Sequence, residues 1–419
     1  MEGLNMDAKE YALRREKLIQ QVMEQSIVIL FSGSLLKSSY DATFPFVVNK
    51  NFYYLTGIEQ ENSILVLLKT PTTVKTYLFI DEIDDNKTRW IGKKLDVDTA
   101  SKVSGIHDVL MMSMFDTRLK EMLNEHNGFG KVTHAYIDLE KNLVIDSTLK
   151  TTERFGDDLK KANSHLNIEN VYPLITKLRM VKSVKEIEAI RYAIKGTAHG
   201  LQSIRKHLKP GLFEHQIEGL FQYSIKDFNN MGIAFETIIA SGKNAVILHY
   251  PNPKDKIVDG ALVLCDLGAT NGQYRGDITR TYPANRKFNP LQKQIYLTVL
   301  KANQMIIQMA KPGLTIVDLQ QACLKFLAES CVKEGWIKTP EEIGKIYYHN
   351  VGHHLGLDTH DPIPRDVPLV PGCVITVEPG LYIKELGIGI RIEDNVLITE
   401  KGCENLSIEI PKSIEEIEA

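Results

Sequence analysis

Four acids stand where the sequence otherwise calls for apolar strands. Asp266 interrupts ALVLCDLG (residues 261–268), and Asp277 heads RGDITRTYP. Glu378 closes VITVEPG (374–380), and Glu393 lies in RIEDNVLIT. Each pair belongs to a predicted hairpin, turned by NGQYRG in the first and by LYIKELGIG in the second. A buried carboxylate without a partner costs several kcal/mol or takes up a proton. Arg275, Arg280 and Arg391 are near enough in sequence to pair with single acids, but four converging carboxylates call for more positive charge. Two divalent cations supply four charges. Nearby, YYHNVGHHLGLDTHD (347–361) places His349, His353, His354 and His360 together, without HExxH spacing because Asn350 follows His349. Oxygen-rich ligation with an imidazole and no thiolate suits manganese or cobalt, and zinc also fits. Two metals sharing carboxylates would lie ~3.5–4 Å apart and could hold a bridging hydroxide as nucleophile at neutral pH.

Two domains are expected to position these residues, since 419 residues exceed a typical single core. Residues 8–24 have the pattern of an amphipathic helix, and SIVILF, NSILVLL, TYLFID and HAYIDL read as strands separated by helices. Residues 1–174 are therefore an α/β domain, poor in clustered histidines and paired acids. Ser183 and Glu186 form a capping pattern that opens a long helix carrying Ile187, Ile190, Ile194, Ala198 and Leu201, so residues 175–419 form the second domain. Inside it KPGL occurs at 209 and again at 311, each time followed by an amphipathic helix, a glycine (Gly232, Gly335) and a histidine-bearing strand region. This predicts a duplicated α+β half-domain around one pseudo-symmetric site.

Fifty basic against 53 acidic residues give no charge excess to attract nucleic acid or an anionic membrane. The N-terminus lacks an apolar signal region, and no apolar run approaches the ~18 residues of a membrane span. Five cysteines, an odd number without CxxC spacing, fit buried thiols in a reducing compartment. A cytoplasmic location is expected.

The chain resembles the pita-bread metallopeptidases, and within them the aminopeptidase P (Xaa-Pro aminopeptidase) family. ILHY, LCDLGATNGQYRGDITRTYP, HNVGHHLGLDTHD, TVEPGLY and GIRIEDN carry the resemblance; FPFVVNKNFYYLTGIEQENSILVL and RWIGKKL extend it to the first domain. It implies a two-domain α/β protein with a C-terminal pita-bread catalytic domain and two divalent ions per subunit, most often manganese. Asp266 would hold one metal, His353 and Glu378 the other, with Asp277 and Glu393 bridging. His249 and His360 would contact the scissile carbonyl, and His349 would line the proline pocket. Tyr382 and Arg391 would orient the carboxylates around the substrate, and Glu378 would also relay a proton to the leaving nitrogen. The implied substrates are peptides with proline second, and the implied assembly is a homodimer or homotetramer. Val47 stands where family members often have arginine, a departure that bears on subunit contacts or substrate entry. A proline dipeptidase is the nearest alternative, with Arg365 placed to read a dipeptide carboxylate. A metal-free amidine hydrolase or a non-catalytic binding module would not need all five ligands. His354 has no role in this scheme and is expected to be a packed or solvent-facing bystander.

Overall fold

The helix predicted at the start of the chain forms as α1 (Ala8–Gln21), capped by Asp7. The computed structural model describes residues 6–126, 128–140 and 151–419. The chain divides into two units between Arg179 and Met180. In the first unit α1 precedes β1 (Ser26–Phe31), α2 (Lys50–Thr56), β2 (Ile64–Thr70), β3 (Thr73–Ile80), α3 (Asp85–Ile91) and α4 (Val97–Ser104). β4 (Asp108–Met111), α5 (Phe115–Leu123), β5 (His134–Ile137), α6 (Thr151–Ala162), β6 (Asn167–Asn170) and α7 (Tyr172–Met180) complete it. The sequence boundary at 174/175 lies within α7, and the division falls at that helix's end.

The strands form one sheet in the order β4-β3-β2-β1-β5-β6. β1, β2 and β3 run antiparallel to one another, and β4, β5 and β6 join in parallel. Ile27, Ile29, Val66, Leu68 and Phe79 alternate along the three central strands and bury one face against Phe115, Leu119 and Leu159. The period-2 pattern of the sequence is thus the half-sheet that α5 and α6 cover.

The second unit opens with α8 (Val184–His207), where Ser183 and Glu186 make the reciprocal capping box. α9 (Glu214–Asn229), β7 (Ile238–Ser241), β8 (Leu262–Leu267), β9 (Thr270–Asn271), β10 (Tyr274–Arg275) and β11 (Ile278–Pro283) follow. Next come α10 (Pro290–Met309), α11 (Ile316–Lys333), β12 (Val374–Val377), β13 (Gly380–Ile383), β14 (Ile388–Arg391), β15 (Asp394–Ile398), β16 (Cys403–Asn405) and α12 (Ile414–Glu418). Two helices and a three-stranded antiparallel sheet occur twice, as β7-β8-β11 and as β12-β15-β16. That is the duplicated half-domain expected from the two KPGL segments.

Register explains how the acids meet. Asp266 pairs with Thr279 and Leu267 with Ile278, so Asp277 leaves the same end of the β8–β11 pair. Val377 pairs with Asp394, so Glu378 and Glu393 leave matching ends of β12 and β15. The second histidine region differs from expectation. It forms no regular strand, and an isolated bridge joins His354 to Ile375 of β12. Glu378 N–H to Val351, Thr376 N–H to His353 and Leu355 N–H to Val374 still lash it along β12. A Cβ at Gly352 would stand 2.1 Å from the Thr376 carbonyl oxygen, so this close approach requires glycine.

Candidate active site

The His353 ring faces two of the acids. The His353 Nδ1 lies 3.1 Å from the His354 carbonyl oxygen, which can only accept, so Nδ1 carries the proton. The lone pair is then on Nε2, 3.5 Å from Asp277 Oδ2 and 3.6 Å from Glu378 Oε1. Donor atoms of Asp277, His353 and Glu393 all lie within 4.8 Å of one another. An imidazole lone pair and carboxylate oxygens so placed repel unless a cation or a proton stands among them.

Charge in the cluster carries the same message. Burial, then Asp266 and Glu378, push the Asp277 carboxyl well above the usual range. Burial, then Asp277, Glu378 and Asp266, do the same to Glu393. Burial and Asp266 push Glu378 up to about 8 against the opposing pull of Arg391. His353 is driven down to about 3 by burial and by His360, so it stays neutral with its lone pair available.

Of the three arginines near these acids in sequence, Arg391 ion-pairs with one, at 2.5 Å from Asp266 Oδ2. Arg280 pairs instead with Asp394, and Arg275 donates to Leu357 O and Thr359 Oγ1. Asp266 Oδ1 is buried without a hydrogen-bond partner. An orphaned carboxylate oxygen beside three further acids suits a metal ligand. The donor set therefore fits divalent metal: oxygen-rich, with one imidazole and no thiolate.

Beside the acids lies a polar chain that ends on Arg391. His349 Nδ1 faces the Asn350 carbonyl at 2.8 Å, leaving Nε2 to accept from the Tyr382 hydroxyl at 2.9 Å. That hydroxyl oxygen in turn accepts from Arg391 Nη1 at 2.8 Å. Burial, then Arg391, drive His349 down to about 3, in keeping with its acceptor role. The His360 ring lies 4.0 Å from the His353 ring, centre to centre. His249 is exposed, and its neighbour Tyr250 packs in one buried cluster with Tyr382, which puts this loop beside the His349 pocket.

Residues 188–400 match metallopeptidase family M24, and residues 11–130 match the aminopeptidase P N-terminal domain. The Escherichia coli Xaa-Pro aminopeptidase is 32% identical over 98% of this chain and 97% of its own. The chain belongs to metallopeptidase family M24. Its fold agrees with that assignment throughout. A Bacillus anthracis structure described as a candidate aminopeptidase P superposes with a TM-score of 0.95 at 42% identity, covering 99% of this chain and 98% of that one. Aminopeptidase P from E. coli, solved with the inhibitor Pro-Leu, gives 0.89 at 31% identity over 99% and 98%. The protein is a metallo-aminopeptidase with the two-domain α/β architecture and C-terminal pita-bread domain of these relatives.

Several residues that contact the candidate ligands carry no mark in the sequence. Thr279 donates to Glu393 Oε2 at 2.7 Å and accepts from Arg391 Nε at 3.1 Å. Asn395 clasps the Asp277 backbone from both sides, accepting its N–H and donating to its carbonyl. Thr376 accepts from the His353 N–H. A threonine or asparagine in a strand gives no signal until the register shows which carboxylate it faces. His354 is packed rather than solvent-facing, 1% exposed, with neither ring nitrogen hydrogen-bonded.

Proposed function

We propose that this metallo-aminopeptidase is a dinuclear Xaa-Pro aminopeptidase, releasing the N-terminal residue from peptides with proline second. The observation that carries the proposal is the convergence of the His353 lone pair with the oxygens of Asp277, Glu378 and Glu393. In this reading Asp266 holds one ion, His353 and Glu378 hold the other, and Asp277 and Glu393 are shared. Two divalent ions bound there would supply Lewis acidity toward the scissile carbonyl and lower the pKa of a water to near neutrality.

The residues of the chain would do the rest. His360 and His249 present imidazole hydrogen bonds to the carbonyl as charge develops on its oxygen. His360 is held below its usual pKa by burial, so it acts as a neutral donor. Glu378 would return a proton to the leaving nitrogen. That nitrogen is a tertiary amide without N–H, so the substrate cannot be gripped there as an extended strand. His349 would line the pocket for the proline ring, held there by Tyr382 and through it by Arg391.

Hydrolysis of Ala-Pro-Ala against Ala-Pro, with and without manganese after chelation, tests the reading. Metal-dependent release of alanine from the tripeptide is expected. Cleavage of the dipeptide alone would favour the dipeptidase alternative, for which Arg365, exposed in the loop after His360, is the candidate carboxylate reader. Manganese is the proposed metal, although the E. coli relative has also been solved with zinc substituted. A homodimer or homotetramer is proposed as well. The exposed apolar run Leu36, Tyr40, Phe44 and Val47 supports it, and sedimentation would test it. A cytoplasmic location is in keeping with the free thiols, four of five buried, and localising a tagged chain would test it. Among the described residues no helix is long and apolar enough to cross a membrane.

A further inference from the structure

His249 sits in no regular element, yet one buried carboxylate fastens both ends of its loop. Glu214, the first residue of α9, is fully buried. Its Oε1 accepts from Ser241 N at 2.7 Å, Ser241 Oγ at 2.8 Å and Asn244 Nδ2 at 3.0 Å. Its Oε2 accepts from Lys254 N at 3.1 Å and Asp255 N at 3.0 Å. Ser241 and Asn244 precede His249, and Lys254 and Asp255 follow it. The five donors come from the two legs of the loop, so the carboxylate is the bolt between them. With five donors and the N-terminal end of a helix around it, the anion is well satisfied where it lies.

The loop is also pressed into the site from two other directions. Its 3-10 turn, Gly242–Val246, packs on β14, where a Cβ at Gly389 would stand 1.9 Å from the Ala245 carbonyl oxygen. β14 ends in Arg391, which ion-pairs with Asp266. The Tyr348 hydroxyl donates to Val246 O at 2.5 Å, from the residue beside His349. The Asn244 amide that reaches Glu214 also reaches Tyr250 Oη and Asp255 Oδ2, so the fastening extends under His249 itself.

We propose that Glu214 is the positioning residue for His249, bolting the two legs of its loop so that the imidazole meets the scissile carbonyl. The proposal rests on the reading of His249 given above. Glutamine at 214 keeps the shape but turns an NH2 group toward N–H donors, whichever way the amide lies. The bolt then opens on one leg.

The test is a double-variant cycle on the metal-loaded enzyme, comparing Glu214→Gln, His249→Ala and the pair. Glu214→Gln is expected to lower kcat about 10- to 100-fold, with KM and bound metal little changed. In the His249→Ala background it should have little further effect, because the group it positions is gone. An equal loss in both backgrounds, or no loss at all, overturns the proposal. If His249→Ala itself leaves kcat unchanged, the reading of His249 fails and the proposal with it. Should Glu214→Gln not fold, Ser241→Ala with Asn244→Ala weakens the bolt from one leg alone. The same cycle then applies, and the same outcomes support or overturn the proposal.

Discussion

Arg391 Nη2 stands 2.5 Å from Asp266 Oδ2, and that contact decides which oxygen of the carboxylate faces the other acids. With Oδ2 engaged, the buried and unpartnered Oδ1 is left for a cation. The same guanidinium reaches Tyr382 through Nη1 and Thr279 through Nε, and Thr279 holds Glu393. One planar fork thus orients two acids and the His349 pocket. Arg391→Lys keeps the charge but offers a point donor that cannot serve three directions. We expect kcat to fall about 10- to 100-fold while metal content, measured on the same preparation, is kept.

Asp277 and Glu393 are the two acids that the proposed dinuclear centre would share. Each lies within donor reach of the other and of His353. Replacing either by alanine should abolish activity and reduce bound metal together. Full metal occupancy with a near-normal rate in either variant would exclude the shared arrangement.

Most of this site is legible in the sequence because charge in apolar strands is conspicuous. Asp266, Asp277, Glu378 and Glu393 stand out as acids in runs such as ALVLCDLG and RIEDNVLIT, and register then brings each pair to one strand end. Glu214, by contrast, has the pattern of an ordinary acid in the first turn of a helix. Its five donors come from residues 27 to 41 positions away, a closure that local pattern does not encode. The histidine region follows the same logic. Its likeness to a strand comes from β-rich residues, but the approach of Gly352 to Thr376 fixes it as a loop lashed to β12.

Stripping the metal should make the fold sensitive to pH. Burial and mutual repulsion raise Asp277, Glu378 and Glu393, with Glu378 reaching about 8. The unfolded chain releases these protons near pH 4 to 5. A raised folded pKa means stability fully present below that range and lost as pH rises toward about 8. The chelated protein should therefore melt lower at pH 8 than at pH 5, by an amount on the order of a few kcal/mol. Added manganese should reverse the difference by neutralising the acids. Equal melting at both pH values without metal would mean that the carboxylates do not crowd one another.

The loop carrying His360 depends on a second buried acid. Lys182 Nζ and Asp361 Oδ2 pair at 2.9 Å with both side chains 1% exposed. The other Asp361 oxygen accepts from Asp358 N, and the Asp361 N–H donates to His354 O, closing the GLDTH turn between the two site histidines. Lys182→Met leaves a buried carboxylate without its cation and should cost about 3–5 kcal/mol in urea unfolding. Adding Asp361→Asn removes that stranded charge while keeping an oxygen for Asp358 N, so much of the stability should return. Activity should not return with it, since the clamp that sets the His360 ring against His353 is still open. A double variant that recovered both stability and kcat would make the pair a fold contact with no bearing on the site.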